Sequence, residues 1–220
     1  MIITYSILSI MRIPINNIVN FILLQTKQQQ IDESHALHHA LSVLDYSKQI
    51  YNAEVVNYPI LMKQQHIIYT SALLHDMCDS KYNENTYKSI NTIQDFLFDN
   101  KYLEEDVNII SNIIDGLSYH KVVNYGFPNL KNYQTCYHIV READLLCGYE
   151  FNRAILYGIY KKDKNYLESF EESKELYKTR MSTLIDNNMF TTSYGKLLAE
   201  NMYEKEREKI RNLESILRNY

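Results

Sequence analysis

The chain has 220 residues, of which 45% are hydrophobic and 23% are charged, a composition typical of a globular protein that can bury one substantial core. Its 5 Gly and 3 Pro residues provide few turns, which favours long helices joined by short loops and argues against a β-sandwich or barrel. The formal net charge of −4 at pH 7 gives no overall basic surface, which argues against binding of a nucleic-acid polymer as the main activity. A local basic patch for a small phosphorylated ligand is compatible with this charge.

The cysteines and the N-terminus indicate where the protein is found. Cys78, Cys136 and Cys147 show no CxxC spacing and form no even set, which fits a reduced, intracellular protein, and we expect a cytoplasmic location. The apolar opening MIITYSILSIMR is too short to span a bilayer and lacks the basic region and cleavage site of a signal peptide. No membrane association is therefore expected. Because Met11 follows so soon, residues 1–10 are a candidate dispensable extension.

Hydrophobic periodicity predicts helices along most of the chain. The second helix shows it most clearly, because Leu37, Leu41 and Leu44 fall on one face, and Asp32 or Ser34 could cap its start. No segment alternates well enough to predict a strand, so the expected fold class is all-α, in one domain. The predicted helical segments, in chain order, are 16–30, 32–52, 59–76, 91–100, 104–119 with an end at Gly116, 136–160, 165–187 and 193–219.

Histidines on these helices are candidate metal ligands, because a divalent ion is bound by neutral imidazoles and carboxylates that converge from different elements. His35 and His39 lie four residues apart and therefore share a helix face, whereas His38 points about 100° away from His39. A lone helical histidine is more often structural than a ligand, and His-rich clusters also occur on solvated faces. The candidates are His35, His38, His39, His66, His75, His120 and His138.

Two carboxylates also fall in apolar surroundings. His75 and Asp76 end the run IIYTSALL, and Asp144 lies in HIVREADLLCG. A buried, unpaired charge is costly, so each carboxylate needs a cation or several hydrogen-bond donors. The pair His75-Asp76 could be a helix end turned toward solvent, and one buried carboxylate could be an acceptor between helices. Two such carboxylates together with histidines favour a divalent cation site.

The order His … His-Asp … Asp, each on its own helix, resembles the HD-domain metal-dependent phosphohydrolases. DESHALHHALSV is similar to the D-x-x-H-x-x-x-H-x-x-R-V opening of one bacterial branch, and ALLHDMCDSKY is similar to its A-L-L-H-D-x-x-D-x-K-[FY]. IIDGLSYHK resembles the I-I-x-x-[ML]-S-[FY]-K of the same branch. IVREADLLCGYEFNRAILYG resembles its I-V-Q-D-A-D-R-L-D-A-x-G. The closing helices of the branch resemble the segment LYKTRMSTLIDNNMFTTSYGKLLAENM. The resemblance covers about residues 30–210.

This resemblance implies a ligand set and a cofactor. It makes His39, His75, Asp76 and Asp144 the metal ligands, with His39 rather than His38 in the motif position. It places His35 either next to the ligands or on the substrate side. The implied ion is Mn²⁺ or Mg²⁺, with Zn²⁺, Fe²⁺, Co²⁺ or Ni²⁺ as alternatives. It also implies an HD-type helical bundle over residues 29–215, preceded by an extension and first helix over residues 1–28.

Further residues are candidates for the reaction itself. Asp76, or an adjacent acid, could orient the attacking water. Lys81 would contact a phosphate, and Asp79 could hold Lys81 or the water, although the same two residues would also suit a solvated loop. Lys121 is a second candidate phosphate contact, for which solvent exposure is the simpler interpretation.

The chain departs from the family pattern at three positions, where Ser42 and Leu145 replace arginines and Cys147 replaces an aspartate. These changes leave the ligands in place but remove supporting charges. The expected function is therefore a metal-dependent phosphohydrolase acting on a nucleotide or another small phosphorylated metabolite, by attack of metal-activated water on phosphorus. The alternative is a catalytically reduced domain that serves as a metal-binding regulatory or interaction module. The expected partner is the small substrate, with a homodimer left open.

Overall fold

The computed structural model describes residues 13–31, 36–78 and 86–217, and the regular structure within these ranges is entirely helical. The predicted all-α class is confirmed. Short 3-10 turns at His75–Cys78 and Lys131–Tyr133 accompany the α-helices. Those α-helices are α1 Ile15–Gln29, α2 Leu37–Glu54, α3 Leu61–Leu74, α4 Thr86–Asp99, α5 Glu104–Gly116, α6 Tyr119–Tyr125, α7 Gln134–Cys147, α8 Phe151–Lys162, α9 Tyr166–Asp186 and α10 Ser193–Leu217.

Helices α2, α3 and α7 form the centre of the bundle. Helix α2 packs against α7 and α3, α3 also packs against α5 and α7, α10 packs across α7 and α2, and α8 pairs with α9. Helix α1 joins the same core through Ile18 and Ile22. Burial of this apolar surface is the main stabilising contribution to the bundle. None of the described helices is both long and apolar enough to cross a bilayer.

The helix predicted over 136–160 is broken, and that prediction is corrected. Helix α7 ends at Cys147 and α8 begins at Phe151. The Gly148 N–H donates to the Leu145 carbonyl at 2.9 Å, which closes a turn, and Glu150 has an extended backbone. The Phe151 N–H, left without a partner inside α8, donates to Glu206 Oε2 of α10 at 3.1 Å. The apolar pattern continues across the break, so periodicity alone did not reveal it.

Helix α5 ends at Gly116, as predicted, and the structure supplies a reason. A Cβ at this position would lie 2.9 Å from Pro128 Cγ, in the segment that returns after α6. That segment passes through Gly126, whose positive φ of 79° favours glycine. The short helix α6 was not predicted, and the predicted caps Asp32 and Ser34 lie outside the described residues.

A buried carboxylate connects α7 to the start of α10. Glu142 is fully buried and accepts hydrogen bonds from the backbone N–H of Thr191 at 2.6 Å and of Thr192 at 3.1 Å. Both threonine hydroxyls donate to the same carboxylate, at 2.7 and 2.6 Å. Neighbouring Gly195 leaves room for this contact, because a Cβ there would collide with Glu142 Oε2. The sequence analysis did not single out Glu142, because only the folded chain brings its partners to it.

Candidate metal centre

Four side chains from three segments converge at one end of the α2–α3–α7 core. His39 lies in the first turn of α2, His75 and Asp76 form the turn that follows α3, and Asp144 lies in the last turn of α7. The packing of these three helices therefore brings together residues that are up to 105 positions apart in the chain. These are the four residues that the family resemblance implied as ligands.

The ligand atoms face one another at short distances. The Nε2 atoms of His39 and His75 are 3.0 Å apart. His39 Nε2 is 3.2 Å from Asp76 Oδ2 and 3.2 Å from Asp144 Oδ1. His75 Nε2 is 3.3 Å from Asp76 Oδ1 and 3.6 Å from Asp144 Oδ1. Two nitrogen and two carboxylate donors therefore point into one small volume.

A backbone contact fixes the orientation of one imidazole. His75 Nδ1 lies 2.8 Å from the Ala72 carbonyl oxygen, which can only accept, so Nδ1 carries a hydrogen and donates it. The Nε2 lone pair is then the one available to an ion. This arrangement, in which the second ring nitrogen is tied to a carbonyl, is usual for histidines that bind metals.

The electrostatics of the cluster favour a positive charge at its centre. Burial lowers the pKa of His75, but the negative charges of Asp76 and Asp144 outweigh burial and raise it to about 9. Burial raises the pKa of Asp76, and the positive charges of His75 and His39 outweigh it, so that this pKa lies below its ordinary value. The pKa of Asp144 is lowered in the same way by hydrogen bonds to His39 and His75. The two carboxylates therefore remain ionised and attract a cation.

The residues fit a divalent metal ion. Imidazole nitrogens and carboxylate oxygens suit Mn²⁺ and the other first-row ions. Asp76 Oδ2 is buried, with His39 Nε2 at 3.2 Å and Arg153 Nη2 at 3.9 Å, and a buried ionised oxygen is costly unless cations or donors surround it. His39, His75 and Asp76 alone already place one donor atom each within 4.8 Å of one another.

A positively charged side chain borders the cluster. Arg153, on α8, places Nη2 3.9 Å from Asp76 Oδ2, and its side chain is 18% exposed. On α9, the Arg180 side chain is exposed, and the charges of Asp144 and Arg153 act on it. Arg180 therefore also lies within electrostatic range of the centre. Neither arginine was singled out from the sequence.

A cavity of about 440 Å³ opens from His39 between α2, α8 and α10. His38 lines this cavity and is not part of the His39–His75 cluster, as its angular offset from His39 predicts. Arg153 lies at both the cavity and the cluster. A molecule in the cavity would therefore contact His39, one of the four candidate ligands, and Arg153 together.

Of the other residues predicted to act in the reaction, the structure describes only Lys121. His35, Asp79 and Lys81 lie outside the described residues. Lys121 forms an exposed ion pair with Asp115 at 2.6 Å, which supports the simpler interpretation of Lys121 as a surface residue.

The remaining histidines have other surroundings. His66 Nε2 lies 3.1 Å from Asp106 Oδ2 between α3 and α5. His120 is exposed. His138 packs edge-on against Phe127 with ring centroids 4.9 Å apart. None of the three reaches the His39–His75 cluster.

The three departures from the family pattern have different environments. Leu145 and Cys147 are buried in the apolar core, and burial raises the pKa of the Cys147 thiol well above its ordinary value. Ser42 is half-buried on α2. Arg153, on the next helix, places a positive charge 3.9 Å from Asp76.

Fold and site together define an all-α protein with a candidate two-histidine, two-aspartate metal centre. Among solved structures, the chain is similar to the crystal structure of a structural-genomics target protein from Lactobacillus plantarum, with a TM-score of 0.66. The alignment covers 96% of this chain and 100% of the other, at 17% sequence identity, so the likeness shows a shared fold. No protein-family model matches the chain, and no match was found among curated proteins.

Proposed function

We propose that the protein is a metal-dependent phosphohydrolase that acts on a small phosphorylated metabolite, with nucleotides as the expected class. The observation that carries this proposal is the convergence of His39, His75, Asp76 and Asp144 beside a cavity with a basic side chain. The HD-type pattern of the sequence supports the same assignment. A cytoplasmic location is part of the proposal, because Cys136 and Cys147 are free thiols.

The proposed reaction is attack of water on phosphorus. When bound by the four ligands, a divalent ion supplies Lewis acidity toward a phosphoryl oxygen and lowers the pKa of water. The chain itself supplies the ionised Asp76, whose Oδ2 can accept a hydrogen bond from the attacking water. It also supplies a largely enclosed site, in which charges act more strongly than in bulk water.

Arg153 has the second role in this proposal. Its guanidinium, 3.9 Å from Asp76 Oδ2, is close enough to contact a phosphate that reaches the cluster. A planar, permanently charged guanidinium can form two parallel hydrogen bonds to a phosphate. Arg153 would therefore orient the phosphoryl group and offset the charge that accumulates on it as the bond breaks.

A product assay with a mixture of nucleoside triphosphates, generic phosphoesters and Mn²⁺ tests the proposal. We expect release of phosphate or pyrophosphate, which also reports which bond is cut. Asp76→Ala should lose both bound metal and activity, since it removes two of the converging oxygens. If the protein binds metal but releases no product from any of these substrates, the proposal is wrong and a metal-binding regulatory module is favoured. Retained activity in Asp76→Ala would refute the site.

A further inference from the structure

We infer that Lys205, on α10, is a specificity-determining residue that contacts a second anionic group of the substrate, separate from the phosphate at the metal centre. This inference rests on the proposed function, and it adds that good substrates carry at least two anionic groups. The argument comes from the distribution of charged and apolar side chains around the 440 Å³ cavity.

The cavity has two cationic regions. Near the metal centre, His39 and Arg153 line it. On its α10 side, Lys205 and Lys209 line it, and their spacing of four residues places them on one helix face. A ligand that fills the cavity would therefore meet positive charge at both places.

The two lysines differ in the ion pairs that they form within the protein. Lys209 Nζ pairs with Glu206 Oε2 at 3.1 Å, and that same oxygen accepts the N–H of Phe151. Lys209 is thus tied to the cap of α8. Lys205 forms no ion pair within the described residues and is exposed, so its ammonium is available to a ligand.

Neither carboxylate that lines the cavity forms an ion pair with Lys205 in the described part of the chain. Glu206 is engaged by Lys209 and by the Phe151 N–H, and Glu150 Oε1 accepts a hydrogen bond from the Tyr46 hydroxyl at 3.3 Å. An anionic group on the ligand would consequently be the charged partner that Lys205 lacks.

Apolar side chains also line the cavity. Leu156 of α8 and Met202 of α10 line the cavity, and both are only partly buried by the protein. Such a surface can pack against the organic part of a metabolite. A ligand that carries a phosphate, a second anionic group and a less polar organic part matches this lining.

The test compares Lys205→Gln with Lys196→Gln in the full chain with Mn²⁺. Lys196 is an exposed lysine on the same helix that does not line the cavity, so both variants lose one positive charge from α10. We expect Lys205→Gln to weaken binding of ATP about fivefold, the size of one charge-assisted contact at a partly exposed site, and to change AMP binding less. Lys196→Gln should match the wild type for both. Calorimetric titration with a non-hydrolysable ATP analogue in place of ATP measures these affinities without turnover.

Steady-state kinetics on the same proteins separate this inference from the proposed function. For a hydrolysed triphosphate, Lys205→Gln should raise KM with little change in kcat, because the contact is remote from the reacting bond. If the wild type hydrolyses phosphoesters but Lys205→Gln and Lys196→Gln bind ATP equally, the inference fails and the proposed function stands. If no substrate is hydrolysed but Lys205→Gln binds ATP more weakly than Lys196→Gln, the proposed function fails and the anion contact stands. A wild type that does not bind ATP overturns the inference.

Discussion

Two acidic residues on α7, two positions apart, show how differently single side chains are used in this protein. Asp144 points its Oδ1 at the histidine pair, whereas Glu142 is satisfied by Thr191 and Thr192 at the start of α10. The sequence predicted a special environment for Asp144 from its apolar neighbours. It did not do so for Glu142, because the partners of Glu142 lie about fifty residues away and show no pattern that points back to it.

The Glu142 contact predicts the effect of a small substitution. Alanine normally stabilises a helix relative to glycine by about 1 kcal/mol, but Gly195→Ala would push a methyl group against the Glu142 carboxylate. We expect a net loss of at least about 1 kcal/mol in the free energy of unfolding, measured by urea denaturation. Asn201→Ala, at an exposed position of the same helix, is the control and should be neutral or stabilising. If Gly195→Ala and the wild type have the same free energy of unfolding, the Glu142 side chain can move to accommodate the methyl group at little cost.

The shifted pKa of His138 should make the free energy of unfolding depend on pH. Burial lowers its pKa to about 4, with a further contribution from the charge of Arg141. The unfolded chain, with a pKa near 6.5, binds this proton more readily than the folded chain, so stability falls as the pH drops from 6.5 toward 4.

His138→Gln should remove that contribution. Its free energy of unfolding should therefore fall less than that of the wild type between pH 7 and pH 4.5, by on the order of 1–2 kcal/mol. Urea denaturation at the two pH values measures it. His120→Gln, which removes an exposed imidazole, should leave the wild-type loss unchanged. Equal pH profiles for the wild type and His138→Gln would contradict the argument.

At the scale of elements, the break between α7 and α8 is what gives the candidate site its positive charge. An uninterrupted helix over 136–160 would carry Arg153 along the axis of α7, whereas the turn at 148–150 redirects the chain so that Arg153 returns to Asp76. Helix α10 caps α8 through Glu206 and supplies the far wall of the cavity. The arrangement of α8 and α10 depends on tertiary packing rather than on local pattern. For this reason the sequence could identify the four clustered residues but not Arg153 or the cavity.

Arg153→Gln tests the role of α8. If Arg153 contacts the phosphoryl group during reaction, its loss should lower kcat/KM by roughly 10- to 100-fold while the Mn²⁺ content stays at the wild-type level. Lys161→Gln, an exposed change on the same helix, should retain wild-type kinetics. Unchanged kcat/KM in Arg153→Gln would remove this residue from the proposed mechanism.

At the scale of the whole molecule, the candidate centre joins helices that form the middle of the bundle. His39, the turn carrying His75 and Asp76, and Asp144 each come from a helix that packs on the other two. Metal binding should therefore stabilise the entire fold, because an ion that binds only the native state shifts the unfolding equilibrium. Hydrophobic periodicity predicted the all-α class correctly. The four residues taken from the motif lie together in the fold, and their role as metal ligands stays a prediction.

This linkage predicts a thermal shift. Mn²⁺ at about 100 times its dissociation constant should add roughly 2.7 kcal/mol, equivalent to about 5–10 °C in Tm for a chain of this size. Differential scanning calorimetry of metal-free and Mn²⁺-loaded protein measures the shift. Asp144→Asn should show little or none of it. A shift of equal size in that variant would place the ion elsewhere.

The adjacent histidines of α2 provide the most direct test of the central claim, which is that the four converging side chains form a divalent metal centre. His39 belongs to the cluster, and its neighbour His38 lines the cavity instead. Bound Mn²⁺ per chain, measured by calorimetric titration, should reach the same stoichiometry in the wild type and in His38→Gln, and should fall to zero in His39→Gln. Equal Mn²⁺ binding by His39→Gln and His38→Gln, or no binding by the wild type, would contradict the account.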